Sequence, residues 1–229
     1  MKKYLIIVLF LIVSSETRGQ VLISLIFGDA LNTGMIEFGL VGGYNYSKIS
    51  GMEGGDYLGN FNLGFYFDIR VKKPWYIYTG VMVKQNEGVD GLTEKDLVKL
   101  GATIWEEEGT YSQVTKTFLV PILIRHRWEN HIFAEAGMQF GLTYNGWIEF
   151  NHEKDKVEAR IRETNKEKLV VLDAGFMAGL GYKLKHKNDT GLTFSVKYYY
   201  GLVNAYKGIS GTKNSSVFLL MTIPIGAGG

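Results

Sequence analysis

The most constraining feature of this sequence is the stretch Leu58–Val71 (LGNFNLGFYFDIRV), in which an apolar side chain occupies every second position from Phe61 onward. A period of two indicates an extended strand with one apolar and one polar face. The hydrocarbon core of a bilayer is crossed by a tilted strand of about 9–11 residues. Because the edge amides of a lone strand stay unpaired in lipid, the pattern predicts one strand of a closed membrane barrel.

The same alternation recurs along the chain and predicts eight strands. They are Ile36–Ser47, Leu58–Val71, Trp75–Gln85, Thr117–Trp128, Ile132–Tyr144, Leu169–Leu184, Gly191–Val203 and Ser215–Ile225. Pro121 falls inside the fourth strand, a position that proline usually avoids, but the alternation continues on both sides of it. The last strand alternates least clearly, since Phe218 and Leu220 fall on its inward face. The fold class predicted is all-β, an eight-stranded antiparallel transmembrane up-and-down β-barrel.

Connection lengths predict how this barrel is oriented. The connections after strands two, four and six are short, whereas those at residues 87–113 and 145–168 are long and charged. Outer-membrane barrels have short periplasmic turns and long extracellular loops, so we expect the long loops outside. Trp75, Trp128 and Tyr182 fall at short-turn ends of three strands, which predicts an interfacial aromatic girdle.

The inward face of the predicted barrel carries charges of both signs beside many glycines. The predicted lumen polar network is Glu37, Asp68, Arg70, Lys84, Arg125, Glu135, Asp173 and Lys197. A barrel of eight strands is only just wide enough for side chains to fill it. Because buried charges need partners, the mixture favours a packed salt-bridge network. The alternative interpretation is a conduction or proton path.

The first 19 residues have the pattern of a secretory signal peptide. A basic Lys2-Lys3 precedes the apolar run Tyr4–Val13, and small residues stand before a predicted cut at Gln20. We therefore expect a signal peptide at 1–19 and a barrel domain at 20–229. Of 25 basic and 23 acidic residues, three and one lie in the signal, which leaves 22 of each. Without a basic stripe, a nucleic-acid partner is not expected.

No residue pattern points to catalysis or to a cofactor. The chain has no cysteine, which excludes disulfides, cysteine-ligated metals and a lipoprotein anchor. Its four histidines, His126, His131, His152 and His186, lack the spacing of a metal site. A lipid-modifying enzyme needs a nucleophile beside an oriented base near the outer rim, and no such group is evident. We expect no enzyme activity, no cofactor and no metal.

The two long loops carry the candidate interaction residues. Thr93 is placed to cap a short helix within 87–113, and Glu106–Glu108 follow Trp105. The plain interpretation of 87–113 and 145–168 is solvated strand extensions or mobile loops. The functional alternative is a docking surface for other envelope proteins, with Trp105 and Trp147 as anchors. Acidic clusters there would also suit divalent cations that bridge lipopolysaccharide.

Five segments together resemble one known family. They are IYTGVMVKQNEG (Ile77–Gly88), FLVPILIRHRW (Phe118–Trp128), IFAEAGMQFGL (Ile132–Leu142), LDAGFMAGLGYKL (Leu172–Leu184) and VKYYYGLVN (Val196–Asn204). In order and spacing they resemble the PorT-like outer-membrane β-barrel proteins of the Bacteroidetes. The resemblance implies an eight-stranded barrel in the outer membrane of a Gram-negative bacterium, and no particular chemistry.

The sequence departs from that family at two places. Leu119 stands two residues before the strand-four proline, where the family often has an acidic residue, which puts one lumen contact in doubt. The C-terminal IPIGAGG lacks the terminal aromatic residue common in outer-membrane barrels, which puts the assembly signal in doubt.

Three hypotheses follow for the function. The first is a non-enzymatic integral outer-membrane barrel, a structural or accessory component embedded in outer-membrane lipid and lipopolysaccharide with charged loops for interaction. The second is a narrow channel or transporter. The third is a soluble secreted barrel that binds a lipid inside, as lipocalins do, in which the apolar face would point inward.

Overall fold

The computed structural model describes residues 35–154, 157–184 and 191–225, and this part of the chain consists mainly of long antiparallel strands. The strands are β1 (Ile36–Ile49), β2 (Leu58–Lys72), β3 (Trp75–Lys84), β4 (Asn86–Val89), β5 (Thr110–Arg127), β6 (Ile132–Lys154), β7 (Val157–Thr164), β8 (Leu172–Lys183), β9 (Thr193–Asn204) and β10 (Lys213–Pro224). One short helix, α1 (Glu94–Leu100), and a 3-10 turn at Lys166–Lys168 complete the elements.

Eight of these strands close into a barrel, as the alternation predicted. Each of β1, β2, β3, β5, β6, β8, β9 and β10 pairs antiparallel with its neighbours, and the β5–β6 and β1–β10 pairings complete the ring. The short strand β4 continues β3 along β5 after a break at Gln85. Among the described strands, β7 pairs only with β6, and the two form a hairpin above the ring.

Apolar side chains cover the outside of the barrel, and the inward face is buried. On β2, the outward Phe61 is 44% exposed while the inward Tyr66 is 1% exposed. The outward Ile124 and Leu180 are each 62% exposed. The arrangement is the reverse of a soluble lipid-binding barrel, so that alternative does not describe this chain. Among the described residues, no helix has the length and apolar character needed to cross a membrane.

The strands extend well beyond the membrane belt at the long-loop end, further than the sequence predicted. β5 begins at Thr110 rather than Thr117, and β6 continues to Lys154 rather than ending at Tyr144. By contrast, β8 begins at Leu172, three residues later than predicted. Strand extensions were the plain interpretation of the long loops, but their bounds were not predicted, because the apolar alternation fades there.

A second apolar core lies above the ring at the long-loop end. We call it the cap core, and its buried residues are Ile49, Val89, Leu92, Leu97, Leu100, Tyr111, Ile148, Phe150, Leu169, Ala205 and Tyr206. They come from strand extensions, from α1 and from the segment between β9 and β10. The cap core therefore covers the mouth of the barrel at the long-loop end.

Several expectations fall outside the described residues. The signal peptide at 1–19, the segment that follows it to residue 34, the turn that contains His186 and the last four residues of IPIGAGG are among them. The signal peptide and the C-terminal departure from the family pattern stay predictions.

Candidate functional site

Arg125 lies at the centre of an ion-pair network inside the short-turn half of the barrel. Its Nη1 lies 3.0 Å from Asp68 Oδ2, and its Nη2 lies 2.7 Å from Glu135 Oε2. Arg127 Nη2 reaches the same Asp68 oxygen at 2.5 Å. All four side chains are buried. One carboxylate thus holds two guanidinium groups that project from the same strand.

Two lysines extend the network around the lumen. Lys197 Nζ lies 2.7 Å from Glu135 Oε1, and Lys183 Nζ lies 2.7 Å from Glu37 Oε2. The hydroxyl of Tyr66 donates a hydrogen bond of 2.9 Å to the other oxygen of Glu37. We name these seven charged residues the lumen network: Glu37, Asp68, Arg125, Arg127, Glu135, Lys183 and Lys197.

Aromatic rings support the cations of the lumen network. The guanidinium carbon of Arg125 lies 4.1 Å from the ring centre of Phe133 and 4.6 Å from that of Tyr78. Lys197 Nζ lies 3.6 Å from the Tyr78 ring, and Arg127 lies 4.0 Å from the Tyr76 ring. Contacts between a cation and a ring face are attractive, most of all where water is excluded. They fix the positions of the buried cations on one side as the carboxylates do on the other.

An apolar layer fills the middle of the lumen above the network. Its buried residues are Val41, Tyr66, Tyr78, Met82, Leu119, Leu123, Met177, Tyr199, Phe218 and Leu220. Phe218 and Leu220, which weakened the alternation of the last strand, belong here. Leu119 also belongs here, so the position where the related family often carries an acid is part of an apolar layer in this chain. Side chains fill the lumen at this level.

A polar layer lies between the apolar layer and the cap core. Ser216 Oγ donates to Glu87 Oε1 at 3.1 Å, and Asn214 Nδ2 donates to Asp173 Oδ2 at 3.0 Å. Asn62 is fully buried, and within the described residues its amide has no hydrogen-bond partner. Buried amides of this kind are commonly satisfied by ordered water.

The structure places seven of the eight predicted lumen residues in three different surroundings. Glu37, Asp68, Arg125, Glu135 and Lys197 meet in the lumen network. Asp173 is buried in the polar layer, at the other end of the lumen. Arg70 points inward but is half-exposed at the short-turn rim, and it takes no part in the lumen network.

The prediction that Lys84 belongs to the lumen is wrong, because its side chain lies on the outer wall. A β-bulge between the pairs Leu63–Lys84 and Gly64–Met82 shifts the register of β3 by one residue. A slip of one residue moves a side chain to the opposite face of the sheet. Lys84 is exposed, and its Nζ lies 5.6 Å from the outward ring of Phe61.

Sequence analysis missed Lys183 and Glu87 as buried charges. Lys183 follows the outward Tyr182, so parity alone places it inside, and it would have supplied the partner of Glu37. Glu87 lies beyond the bulge of β3, where parity along the strand no longer applies. The alternation of inward and outward side chains was therefore enough to place Lys183 in the lumen, but it was not enough for Glu87.

At the long-loop end, α1 joins the connection between β1 and β2 to the long loop 87–113. Thr93 caps the helix in a capping box with Asp96, as predicted. The Asp96 carboxylate also accepts backbone N–H groups of Glu53 at 2.8 Å and Gly54 at 2.9 Å. Burial alone would raise the pKa of Asp96, but these amides and that of Thr93 hold the pKa below its ordinary value. Asp96 thus holds the β1–β2 connection against the N-terminus of α1.

The two predicted loop anchors are packed against the barrel's own extensions. Trp105 stacks on Phe150 with ring centres 6.2 Å apart and stays partly exposed. Trp147 lies between two cations, with Lys116 Nζ at 5.6 Å and Arg162 at 5.0 Å from its ring. Burial would raise the pKa of Glu149, yet its hydrogen bond from Arg162 holds that pKa below the ordinary value. These residues form an ordered surface, which we call the outer platform.

The predicted girdle residues Trp75, Trp128 and Tyr182 are exposed on the outer wall at the short-turn end. Trp75 and Trp128 pack edge-on against His126, with ring centres 4.7 Å and 5.0 Å away. His152 lies far from them on the outer platform, where Nδ1 is 2.5 Å from the carbonyl oxygen of Glu108. In the ranges that the structure describes, no group of three potential metal ligands is found.

A closed barrel with an apolar outer wall and a charged, filled interior defines an integral β-barrel of a bacterial outer membrane. The chain belongs to the family described as outer membrane protein beta-barrel domain, whose sequence profile matches residues 20–207. Its location is therefore the outer membrane of a Gram-negative bacterium. No curated protein matches the sequence.

Solved structures with a similar fold include three outer-membrane barrels. Ail, the attachment invasion locus protein of Yersinia pestis, solved with the heparin analogue sucrose octasulfate, is 12% identical with a TM-score of 0.42, covering 82% of this chain and 97% of that one. Neisserial surface protein A is 7% identical with a TM-score of 0.41, covering 83% and 97%. OprG from Pseudomonas aeruginosa is 12% identical with a TM-score of 0.39, covering 83% and 92%.

Proposed function

We propose that this protein is a non-enzymatic accessory component of the outer membrane, in which a rigid, filled barrel presents the outer platform to other envelope proteins. The platform is made of the described residues 87–113, 145–154 and 157–168. The observation that carries the proposal is that strand pairing and the cap core hold these residues on the barrel. Binding surfaces on a rigid scaffold bind with less loss of conformational entropy.

The interior supports an accessory role over a channel or transporter. The lumen network fills the short-turn half, the apolar layer fills the middle, and the cap core covers the outer mouth. An eight-stranded barrel has room for side chains and little else. A solute path would require breaking buried ion pairs and moving the cap core at once.

Within the family, we propose that the chain is closest in kind to the PorT-like barrels. The five segments from Ile77 to Asn204 that carry this resemblance all lie on barrel strands or their extensions. The proposal concerns family membership alone.

The proposed orientation is tested by cysteine labelling, because the natural chain contains no cysteine. Glu107→Cys places a thiol on the outer platform, and Lys72→Cys places one at the short-turn end. A membrane-impermeant maleimide added to intact cells is expected to label the first variant and to leave the second unlabelled until the cells are broken. Labelling of Lys72→Cys in intact cells would reverse the orientation.

The accessory role is tested by photo-crosslinking in the host bacterium. A photoreactive phenylalanine analogue at position 107 is expected to give discrete covalent adducts with envelope proteins, and the same group at position 72 serves as the matched control. Planar bilayers that contain the purified protein are expected to show no stepwise conductance. Conductance steps together with an absence of adducts from position 107 would favour the channel hypothesis.

A further inference from the structure

The hairpin of β6 and β7 carries an open sheet edge above the ring. Beyond the membrane belt, β5 pairs with β6 and β6 pairs with β7, and β7 is the last strand of this extension. No other strand in the described ranges pairs with the far edge of β7. A strand at a sheet edge presents backbone N–H and C=O groups with which another chain can pair.

The register of the hairpin shows which backbone groups point toward this edge. The N–H of Asn165 donates to Gly146 O at 3.2 Å, next to the pair formed by Thr164 and Trp147. In an antiparallel ladder, pairs that exchange hydrogen bonds alternate with pairs that do not. Thr164 and Arg162 therefore hold the positions without bonds to β6. Their N–H and C=O groups point away from β6, toward the open edge.

The edge of β7 lacks most of the devices that protect exposed strands. Proteins commonly block edge pairing with very short strands, prolines, bulges or charged side chains. Strand β7 is eight residues long, contains no proline and pairs with β6 without a bulge. The side chains of residues 159–162 are all exposed. Charge is the remaining device, and it selects among partners rather than excluding all of them.

The two faces of β7 differ in character. On the face toward the barrel mouth, Ile161 pairs with Phe150 of the cap core and is itself 39% exposed. On the opposite face, Arg162 Nε lies 2.7 Å from Glu149 Oε2, and Arg160 Nη1 lies 3.9 Å from Glu149 Oε1. One face of the edge is thus apolar, and the other presents a guanidinium group that shares its carboxylate.

We propose that the open edge of β7 binds an extended segment of another envelope protein, which adds a strand to the hairpin and alternates acidic with apolar side chains. The acidic side chains would lie beside Arg162, and the apolar ones beside Ile161, where they extend the cap core. This partner class rests on the accessory role proposed above. A second copy fits less well, because antiparallel pairing centred on Ile161 places Arg160 opposite Arg162 of the other copy.

The test is a binding titration of the folded full-length protein in micelles with labelled peptides of about ten residues, the upper length of most strands. The probe alternates glutamate with valine, and the first control replaces each glutamate with lysine. The second control keeps the glutamates but methylates their backbone nitrogens, which blocks pairing opposite Arg162. By fluorescence anisotropy, we expect the probe to bind roughly tenfold or more tightly than either control. Its binding should also slow hydrogen exchange of the Arg162 and Thr164 amides.

Substitutions at the edge provide the matched variants. Thr164→Pro removes an N–H that β6 does not use, and it is expected to weaken probe binding about fivefold or more. Thr164→Val loses the same hydroxyl bond to Gly146 O but keeps the N–H, so it should bind as the natural protein does. Arg162→Glu should reverse the preference between the glutamate and lysine peptides. The gel shift on boiling checks that each variant is folded.

Three outcomes of the titration would overturn the proposal. Equal binding of the methylated peptide would mean that the basic face attracts any anion, lipopolysaccharide phosphates included. Equal binding by Thr164→Pro and Thr164→Val would place the peptide elsewhere on the outer platform. Dimers of the protein alone that Thr164→Pro abolishes would make a second copy the occupant.

Photo-crosslinking from position 107 separates this proposal from the accessory role. Adducts that Thr164→Pro abolishes and Thr164→Val keeps would support both. Adducts that persist in Thr164→Pro would keep the accessory role and contradict binding at the β7 edge. An absence of adducts from the natural protein, beside tight and edge-dependent binding of the probe, would contradict the accessory role and leave the edge as a peptide site.

Discussion

At its short-turn end the barrel interior is filled by ion pairs, whereas at its long-loop end it is covered by apolar side chains. The lumen network holds four cations against three carboxylates inside a wall that lipid surrounds. The cap core lies beyond the wall, with water around it, and it packs as the core of a soluble domain does. The surroundings explain the difference, because only the cap can gain stability by withdrawing apolar surface from water.

The two regions should therefore fail in different ways. Buried ion pairs add little net stability compared with apolar packing, but removing one partner is strongly destabilising. Loss of a cap residue leaves a cavity whose cost stays local unless the cap and the wall unfold together. We therefore expect the stability of the barrel wall to depend on the ion pairs of the lumen network, and the stability of the cap core to depend on apolar packing.

The largest effect is expected for Asp68→Asn. The change leaves two guanidinium groups, Arg125 and Arg127, without their shared carboxylate, which typically costs about 3–5 kcal/mol. Urea unfolding in micelles, followed by tryptophan fluorescence, measures the free energy of unfolding. Arg70→Gln, on the same strand and face but outside the lumen network, is the control and should change it by less than about 0.5 kcal/mol. Equal effects would mean that the network has no special role.

Leu97→Ala in the cap core is expected to come next. Removing a fully buried leucine side chain costs about 2–5 kcal/mol. The loss should appear as faster hydrogen exchange of the α1 amides, while the urea midpoint of the barrel stays unchanged. Val98→Ala, on the same helix at 69% exposure, is the control. A matching fall in the barrel midpoint would show that cap and wall unfold as one unit.

A smaller effect on stability, one that depends on pH, is expected from Asp96. Its pKa is lower in the folded protein than in the unfolded chain, so its stabilising contribution is full above the unfolded pKa of about 4 and is lost as pH falls through the folded pKa. Protection of α1 from hydrogen exchange should decrease as the pH falls below about 4.

Asp96→Asn should remove that pH dependence and cost about 1 kcal/mol at neutral pH, the usual value of a helix cap. Glu94→Gln, exposed on the same helix, is the control and should leave the pH profile in place. A profile that persists in Asp96→Asn would assign the titration to another group of the cap.

The smallest effect is expected for Lys84→Ala, which tests the correction that the bulge introduces. Because Lys84 is exposed on the outer wall, its loss should change the urea midpoint by less than about 0.5 kcal/mol. Lys197→Ala, which removes a buried partner of Glu135, serves as the contrast. A cost for Lys84→Ala as large as that for Lys197→Ala would place Lys84 inside the lumen.

The wall of the barrel could be predicted from the sequence because lipid imposes a strict period of two on every strand. That pattern located all eight strands and most of the lumen network. The same logic failed at Lys84, since a bulge changes parity without leaving a mark in the pattern of apolar residues. It also could not pair Glu37 with Lys183, which are 146 residues apart in the sequence.

The cap core was beyond prediction for a different reason. Its members, such as Leu97, Phe150 and Tyr206, come from segments far apart in sequence, and none of these segments repeats with a single period. The capping box at Thr93 was visible because it is local. What the helix packs against depends on closure of the whole barrel, which no local pattern records.

The pairing of β1 with β10 has a consequence for the order of assembly. These are the first and last strands of the ring, and their register joins Gly39 with Pro224 and Ile49 with Asn214. Such contacts between distant residues form late and slowly. Until the seam closes, both edge strands hold unpaired amides that lipid cannot satisfy. A barrel with an open seam is thus a sheet with two unpaired edges, and insertion finishes only when β10 pairs with β1.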